Sequence, residues 1–410
     1  MNKKKIINDP LYGFIHVKNE LIFDIISHPF FQRLRYIKQL GLTDLVYPGA
    51  VHTRFQHALG ALHLMGRVLD NLRFKGIDIS NEEYEAAQLA VLLHDIGHGP
   101  FSHALEHSLL QGVNHESMSY LLMSELNDQF NDELNLTLKI FRNSYKRKFF
   151  FQLVSSQLDI DRLDYLNRDC FFSGVQEGTI GVDRIILMLH VHHDQLVVEE
   201  KGIYSIENFL NARRLMYWQV YLHKTTVCAE RMLINLIRRA QALIRAGENI
   251  PASEELKLFL ENAFTIESLK NNKKALQAFG RLDDHDIWGA IKLWRNNDDR
   301  ILSLLSEMLI DRKLFQIILS HEPIKKSVIE KIRTSITQEY QTLRAESSYL
   351  FSYGTVTNEA YTEGEKINIL TRSGELLDIA QASDLRNIKA ISKIVKKNYL
   401  CWPKNVSLFN

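Results

Sequence analysis

Apolar residues recur every three to four positions along much of this chain, a spacing that is typical of the buried face of an α-helix. The clearest example is the apolar run over residues 86–93, which predicts a buried helix that ends at the adjacent residues His94 and Asp95. Glycines and a proline at 97–100 then break the pattern and predict a turn. With only 7 prolines in 410 residues, the chain is predicted to be mostly α-helical.

The same periodicity predicts further helices along the chain. Ser27 is the expected cap of a helix over 28–40, and Thr53 and Asn114 are the expected caps of two others. A long helix is predicted over 205–224. The helices predicted after the composition becomes more charged, at about residue 245, occupy 253–263, 266–280, 284–294, 299–309 and 383–396.

Three stretches predict β-structure between these helices. Residues 6–17 are typical of two extended pieces joined by a turn, and residues 366–379 of two strands joined at 373–374. Alternating residues over 196–204, with a polar turn at 201–202, predict a small β-hairpin. We therefore expect a helical core with a small hairpin, followed by a C-terminal α+β lobe.

Composition and charge exclude several classes of protein. Lysine and arginine number 50 and aspartate and glutamate 49, so no basic excess favours nucleic acid or an anionic membrane as a partner. The 3 cysteines show no CxxC spacing, which favours a reducing compartment. No signal sequence and no apolar run of about 18 residues is evident, so a cytoplasmic location is expected.

The strongest chemical signal is the His94-Asp95 pair at the end of the buried helix. An imidazole and a carboxylate are suitable ligands for a divalent metal such as Mn, Fe, Mg, Zn or Ni. Burying them is costly unless a metal or a partner satisfies them. Because the glycines redirect the chain, His98 and His103 are expected to contact substrate or transfer protons rather than to bind the metal.

Other segments supply polar groups at helical spacing. Asp161, Arg162, Tyr165 and Asp169 fall within one arc of roughly 100°, which fits a lined cleft or a salt-bridged surface helix. His57 shares a face with Arg54, although a lone histidine at a helix start is usually structural. The histidines over 190–194 are rejected as a metal site because they have no regular ligand spacing.

The order His57, His94-Asp95, Asp161 resembles that of the HD-domain phosphohydrolases. Further segments resemble the deoxynucleoside triphosphate (dNTP) triphosphohydrolases of that family, with high specificity over about residues 5–230 and more loosely beyond. These segments are 7–10, 31–41, 48–50, 54–57, 94–103 and 161–165. The resemblance implies an HD-domain core over 1–245 and a C-terminal helical lobe with a β-ribbon over 246–410, expected to serve oligomerisation or regulation.

The resemblance also implies a mechanism. A metal held by His57, His94, Asp95 and Asp161 would activate a water, which attacks the α-phosphorus of a dNTP and releases inorganic triphosphate. Mg is expected as a second ion, bound with the triphosphate. His103 is expected either to protonate the departing 5′-oxygen or to neutralise the phosphate. The remaining expected catalytic groups are His98 and His115, which face the phosphates, and Glu116, which orients an imidazole.

Substrate contacts follow from the same resemblance. The residues expected to bind substrate are Gln39, Leu40, Arg54, Arg162, Tyr165, Asp169, Arg213, Tyr217 and Tyr221. The three arginines are expected on the triphosphate, Gln39 and Asp169 on the 3′-hydroxyl, and Tyr165 and Tyr221 against the sugar, where they exclude a ribose. Arg162 replaces a lysine, Tyr217 a histidine and Leu222 a glutamine of the family pattern.

The expected partners are the nucleotide substrate, a nucleotide effector and further copies of the chain, as a dimer or tetramer. Gln32, Arg35 and Arg312 resemble residues of a guanine-nucleotide effector site. Ser27 stands in place of a carboxylate there, Gln316 stands in place of a lysine, and Glu199-Glu200 lie near where a phosphate-binding arginine would be expected. GTP is therefore not expected to be an obligatory activator.

Two alternatives remain at this stage. The first is another HD phosphohydrolase activity, on nucleoside monophosphates or phosphodiesters, against which the three arginines argue. The second is a non-catalytic protein that binds nucleotides or nucleic acid. The complete ligand set and the near-zero net charge argue against it.

Overall fold

The computed structural model describes residues 5–110, 112–342, 344–358, 366–385 and 395–407, with the backbone alone for His103, His107 and Asn358. Within these residues the protein is mostly α-helical with small sheets, which confirms the predicted fold class. The helices up to residue 245 are α1 Glu20–Ser27, α2 Pro29–Gln32, α3 Arg54–Phe74, α4 Asn81–Leu93, α5 Glu106–Leu109, α6 His115–Gln129, α7 Asn135–Phe141, α8 Lys148–Val154, α9 Ile160–Ser173, α10 Val182–Met188, α11 Ile203–Met216 and α12 Lys224–Arg245. Those that follow are α13 Glu254–Glu261, α14 Ile266–Lys270, α15 Lys273–Phe279, α16 Asp284–Trp294, α17 Arg300–Ile310, α18 Lys326–Tyr340 and α19 Ile379–Ala382.

Three small sheets accompany the helices. Their strands are β1 Lys5–Asp9, β2 Gly13–Val17, β3 Leu189–His192, β4 Gln195–Glu199, β5 Gln316–Ser320, β6 Ser352–Asn358, β7 Asn368–Leu370, β8 Leu376–Asp378 and β9 Val395–Trp402. β1 pairs with β2, the order β3-β4-β7-β8 forms a second sheet, and β5-β9-β6 forms a third. The strand pairs predicted over 6–17 and 366–379 are therefore confirmed.

Helices α3, α4 and α9 form the centre of the part of the chain that carries the candidate chemistry. Asp159 caps α9, because its Oδ1 accepts the backbone N–H of Arg162 at 2.8 Å. α3 and α9 approach closely at Gly60, where an added Cβ would lie 2.0 Å from Oδ1 of Asp164. Only glycine fits at that crossing, so the two helices can place polar side chains in contact.

The helix predicted over 28–40 is shorter than expected. Ser27 ends α1 and His28 caps α2, so the predicted cap at Ser27 is wrong, whereas Thr53 and Asn114 do precede helices. A 3₁₀ turn over 33–36 follows α2, Ile37 is extended, and residues 37–39 form an isolated β-bridge at Lys38. They pair with residues 52–54 through backbone hydrogen bonds of 3.0 Å, which replace the helical ones.

Three other predicted elements differ in detail. The hairpin turn lies at residues 193–194, between β3 and β4, and not at 201–202, because both residues there adopt the positive φ that a tight hairpin requires. The helix predicted over 266–280 is two helices, since Asn272 caps α15. The helix predicted over 205–224 is α11 followed by a π-helical turn. The helix predicted over 383–396 falls largely on residues 386–394, which lie outside the described residues.

Two clusters of buried apolar side chains form the core. One joins α1 to α6 with α12 to α18, and the other joins α3, α4 and α8 to α11 with strand β7 and helix α19. Both clusters contain residues from before and after 245, and the division at that residue stays a prediction. Across the described parts of the chain, no helix has the length and apolar character needed to cross a membrane.

Candidate active site

Three helices bring the predicted metal ligands together. His57 lies in the first turns of α3, His94 directly follows α4, and Asp161 lies in the first turn of α9. The Nε2 atoms of His57 and His94 are 3.1 and 3.3 Å from Oδ1 of Asp161. Asp95 completes the group, with its Oδ1 3.3 Å from Nε2 of His94 and its Oδ2 3.6 Å from Nε2 of His57.

The far nitrogen of each imidazole is occupied by another group. Nδ1 of His57 is 2.8 Å from Oδ2 of Asp164, and Nδ1 of His94 is 2.6 Å from the carbonyl oxygen of Val91. Both partners are acceptors, so both Nδ1 atoms carry the hydrogen and both Nε2 atoms present lone pairs. This arrangement is the one in which a carboxylate or carbonyl orients a metal-binding histidine.

The four side chains fit a divalent cation. The Nε2 atoms of His57 and His94 are only 3.4 Å apart, and the carboxylates of Asp95 and Asp161 lie beside them. The lone pairs of these groups would face one another unless a proton or a cation lies between them. Burial alone would lower the pKa of His57, but hydrogen bonds to Asp161 and Asp164 raise it to about 10. Protons and a metal compete for such a site. Two imidazoles and two carboxylates suit the divalent metals expected from the sequence.

Arg54 and Ser102 support this centre from the side. Nη1 of Arg54 contacts Oδ2 of Asp95, and Nε of Arg54 donates to Oγ of Ser102 at 2.8 Å. All three side chains are buried, with Arg54 3% exposed. The guanidinium group of Arg54 is therefore held beside the candidate metal site, where it lines the adjacent cavity.

A second group of possible ligands adjoins the first. Nε2 of His98 is 3.4 Å from Oδ1 of Asp95, and the ring of His98 stacks on His115 with centroids 4.0 Å apart. Asp95, His98 and His115 are close enough to share an ion. The group that orients His115 is Glu106, whose Oε1 lies 2.9 Å from Nδ1, and not Glu116 as predicted. Glu116 is exposed, because it lies on the outer face of α6.

A cavity of about 430 Å³ opens from this centre. Most of the residues that were predicted to bind substrate or to act on it line the cavity. These are Gln39, Leu40, Arg54, His98, His115, Arg162, Tyr165, Asp169, Tyr217 and Tyr221, together with the candidate ligands Asp95 and Asp161. His57 and His94 lie behind Asp95 and Asp161. The side chain of His103 lies outside the described part of the structure.

Arg162 and Arg213 differ in their access to the cavity. Arg162 lines it and contacts Asp159, while its buried Nε has no hydrogen-bond partner among the described residues. Arg213 does not line it, because this side chain is buried and its Nη1 donates to Oε1 of Gln157 at 2.9 Å. Direct contact between Arg213 and a phosphate is therefore still only a prediction.

Aromatic and acidic side chains form the end of the cavity farther from the metal group. Tyr221 donates its hydroxyl hydrogen to Oδ2 of Asp169 at 2.8 Å. Its ring packs edge-on against Tyr165 and Tyr217, with centroids 6.1 and 5.3 Å apart. Tyr217 and Tyr221 both face the cavity from the π-helical turn between α11 and α12, a feature that is frequent at functional sites.

Sequence reasoning missed the residues that act through others. Asp164 holds His57 and is itself held by Arg168, whose Nε and Nη2 lie 2.9 and 3.1 Å from its two oxygens. His52 contacts Asp169, and Glu106 contacts His115. Only the spacing of Asp164 and Arg168, four residues apart on a predicted helix, was visible as a signal in the sequence.

Comparisons with known proteins agree with this site. The HD domain family model matches residues 54–169, and the model of an HD associated region matches residues 180–258. A crystallised phosphohydrolase from Bacteroides thetaiotaomicron is 50% identical with a TM-score of 0.94, covering 97% of this chain and 99% of that one.

Two curated relatives extend the comparison. Protein YwfO of Bacillus subtilis, whose function is uncharacterised, is 32% identical over 99% of this chain and 94% of its own length. The deoxynucleoside triphosphate triphosphohydrolase SAMHD1 homolog of Dictyostelium discoideum is 30% identical over 61% of this chain, which spans 52% of that protein. With the HD motif residues gathered at one centre and near full-length similarity to a phosphohydrolase, this chain belongs to the HD-domain phosphohydrolase family.

Proposed function

We propose that this protein is a metal-dependent dNTP triphosphohydrolase, which cleaves the bond between the α-phosphorus and the 5′-oxygen. The observation that carries the proposal is the continuity of one cavity. It joins a cation-binding group at Asp95 and Asp161 to a polar and aromatic end at Asp169 and Tyr221. Such a cavity suits a ligand with polyanionic and sugar parts.

The charge around the metal end favours a triphosphate over a single phosphate. Arg54 and Arg162 line the cavity, and guanidinium groups bind phosphate oxygens through paired N–H donors. His98 and His115 lie next to them as further donors. A chain of three phosphates can contact all four groups, whereas a monophosphate would leave part of this charge unmatched.

The opposite end fits a deoxyribose. Oε1 of Gln39 is buried without a hydrogen-bond partner among the described residues and lines the cavity with Asp169. These two groups are proposed to bind the 3′-hydroxyl. The rings of Tyr165 and Tyr221 are proposed to pack against C2′, where the extra hydroxyl of a ribonucleotide would have no space.

The chain's own groups then have defined roles in hydrolysis. A divalent ion bound by His57, His94, Asp95 and Asp161 would supply a nucleophilic water by lowering the pKa of that water to about 7. Arg54 and Arg162 neutralise charge on the phosphates as it develops. His103 is proposed to give a proton to the 5′-oxygen, so that deoxynucleoside and triphosphate are the products.

The decisive experiment incubates metal-loaded protein with each dNTP and each ribonucleotide, and resolves triphosphate, pyrophosphate and phosphate. We expect triphosphate and deoxynucleoside, with dATP cleaved faster than ATP. Equal rates on ATP and dATP would refute the exclusion of ribose. Turnover of nucleoside monophosphates or phosphodiesters alone would indicate a different HD phosphohydrolase activity.

A further inference from the structure

His52 is a buried histidine that the proposed chemistry does not use, and it lies behind the sugar end of the cavity. Its Nε2 is 2.7 Å from Oδ1 of Asp169, and the side chains of His52 and Asp169 are 0% and 2% exposed. The His52 ring stacks on Phe172, with centroids 4.6 Å apart and planes 20° from parallel. Stacking and the hydrogen bond together fix the orientation of the imidazole.

The hydrogen bonds also define the protonation of His52. Asp169 can only accept, so Nε2 carries a hydrogen. Nδ1 of His52 is buried and has no hydrogen-bond partner in the described parts of the chain. A second N–H there would be a buried unsatisfied donor, which is costly, so the hydrogen bonds favour the tautomer of His52 that carries its hydrogen on Nε2 and donates it to Asp169.

The other oxygen of Asp169 is held from a different direction. Oδ2 accepts the hydroxyl hydrogen of Tyr221, and burial together with Asp169 keeps the pKa of Tyr221 well above its usual value, so the phenol remains a donor. Two donors thus fix both oxygens of a carboxylate that lines the cavity. Each oxygen retains one acceptor position for a hydroxyl of the ligand.

We propose that His52 is a positioning residue for recognition of the 3′-hydroxyl, acting through Asp169 and never touching the nucleotide. This inference rests on the proposed function, because it concerns the sugar of the same substrate. Its consequence is specific. Loss of the His52 donor weakens the use of a nucleotide that has a 3′-hydroxyl and leaves a nucleotide without one unaffected.

The test compares dATP with 2′,3′-dideoxy-ATP in two variants of His52. The measured quantity is the ratio of kcat/KM for dATP to kcat/KM for the dideoxy nucleotide, with the Kd of each from calorimetry as a second readout. His52→Phe keeps a ring against Phe172 and removes the donor, so we expect the ratio to fall about tenfold to hundredfold. His52→Gln keeps an N–H donor and is expected to retain most of the ratio.

His63→Phe is the matched control. His63 is half-buried, and its ring stacks on the ring of Tyr12 with centroids 5.4 Å apart. It does not line this cavity. We expect this variant to leave the ratio unchanged.

Three results would overturn the inference while leaving the proposed function intact. They are an equal loss on the two nucleotides in His52→Phe, an unchanged ratio in that variant, or a wild-type ratio close to one. Wild-type protein that hydrolyses no dNTP would instead contradict the proposed function. The ratio of Kd values would then decide the role of His52 separately, and failure to bind either nucleotide would overturn both.

Discussion

His57 and His94 become ligand candidates through the groups on the far side of their rings. Asp164 and the carbonyl oxygen of Val91 each take an Nδ1 hydrogen, which leaves both Nε2 lone pairs beside Asp161. Without that second layer, the same histidines could present N–H groups to the centre. The chemistry of these residues therefore depends on neighbours that no motif names.

The first prediction concerns the adjacent ligands. We expect His94→Ala or Asp95→Ala to abolish both turnover and bound metal while the fold survives, since each removes one of the four donors. Metal content by elemental analysis, nucleotide hydrolysis and circular dichroism would check this. His190→Ala is a suitable control, because His190 belongs to β3, away from the centre. Full activity in either ligand variant would refute the assignment.

A second prediction concerns Asp164, which sequence reasoning missed. In Asp164→Asn, an amide replaces the carboxylate that accepts the Nδ1 hydrogen of His57. Because this amide is a weaker or wrongly oriented acceptor, metal affinity should fall about 10- to 100-fold. Titration of the metal-free protein with Mn²⁺ would measure it. Asp44→Asn provides a control, because that carboxylate pairs with Lys38 at 2.7 Å and not with a ligand histidine. Unchanged affinity in Asp164→Asn would show that Asp164 serves the fold alone.

Residues of the candidate site were predictable from the sequence only where the residue itself is expected to bind the metal or the substrate. The His94-Asp95 pair and Asp161 stand out through adjacency and helical spacing, and the structure does bring them together. Asp164 and His52 act through other side chains across 107 and 117 residues of sequence, and no local pattern reveals such contacts. The role of Glu116 was misjudged because Glu116 follows His115 in the sequence, whereas the carboxylate next to the His115 imidazole in the structure is that of Glu106.

At the scale of elements, the path of the backbone in the turn after α4 depends on one glycine, Gly97. Gly97 donates its N–H to Oγ of Ser119 at 2.9 Å, and an added Cβ would lie 2.1 Å from the backbone nitrogen of Ser119. The same hydroxyl donates to the carbonyl oxygen of His94 at 2.6 Å. α6 thus holds the turn that carries the metal candidates and His98.

The third prediction compares the two glycines of that turn. Gly97→Ala forces α6 and the turn apart, so the free energy of unfolding should fall by about 1–3 kcal/mol or more, together with activity. In Gly99→Ala the new Cβ meets only the ring of Phe279, at the ordinary distance of 3.6 Å, and little change is expected. Thermal unfolding of both variants would check this. Equal stability of the two would contradict the packing argument.

Another element, α16, contacts the segments that line the cavity. Asp284, the first residue of α16, accepts the backbone N–H of Lys38 at 2.9 Å and that of Phe101 at 2.7 Å. Burial raises the pKa of Asp284 to about 6, although these two hydrogen bonds and Lys38 act in the opposite direction. Phe101 has a φ of 54°, so this carboxylate holds a strained backbone next to the cavity.

The fourth prediction is a pH dependence that follows from Asp284. Its pKa is higher in the folded than in the unfolded chain, so its contribution to stability is lost as pH rises from about 4 to about 6. Relative to Asp284→Asn, the wild type should lose up to about 3 kcal/mol over that interval. Urea unfolding of both proteins at several pH values would measure the difference. A difference independent of pH would contradict the raised pKa.

Elements were predictable where periodicity and caps agree. The starts of α3 and α6 were predictable from Thr53 and Asn114, and the end of α4 was predictable from the His94-Asp95 pair. The helix over 28–40 was overestimated, because its apolar residues recur at helical spacing as far as Leu40, whereas residues 37–39 are hydrogen-bonded to residues 52–54. The π-helical turn was invisible, since Tyr217 and Tyr221 have the spacing of an ordinary helix.

For the whole molecule, contacts between distant parts of the chain bear on the effector site that the sequence suggested. Oγ of Ser27 donates to the carbonyl oxygen of Phe23 at 2.9 Å, and Oε2 of Glu200 accepts the backbone N–H of Arg372 at 2.8 Å. Gln316 donates to the carbonyl oxygen of Val406 at 3.3 Å. The positions where the chain departs from the family's effector pattern thus make contacts within the subunit.

The last prediction concerns regulation and assembly. A guanine edge is bound well by a carboxylate and poorly by the single hydroxyl of Ser27, and losing a charge-assisted hydrogen bond costs about 1.5–3 kcal/mol. Acidic Glu199 and Glu200 near a triphosphate would add repulsion. We therefore expect a dimer or tetramer that hydrolyses dATP without GTP, while the segment with Gln32 and Arg35 remains open to another nucleotide.

Steady-state hydrolysis of dATP with and without GTP and dGTP, alongside light scattering for mass, tests this expectation. Ser27→Asp is the informative variant, because it restores a carboxylate at the position that would bind the guanine edge. If the substitution at Ser27 is the cause, GTP should stimulate this variant more than the wild type. Strict dependence of the wild type on GTP, with tetramers formed only when GTP is bound, would show that neither Ser27 nor the acidic pair limits the effector site.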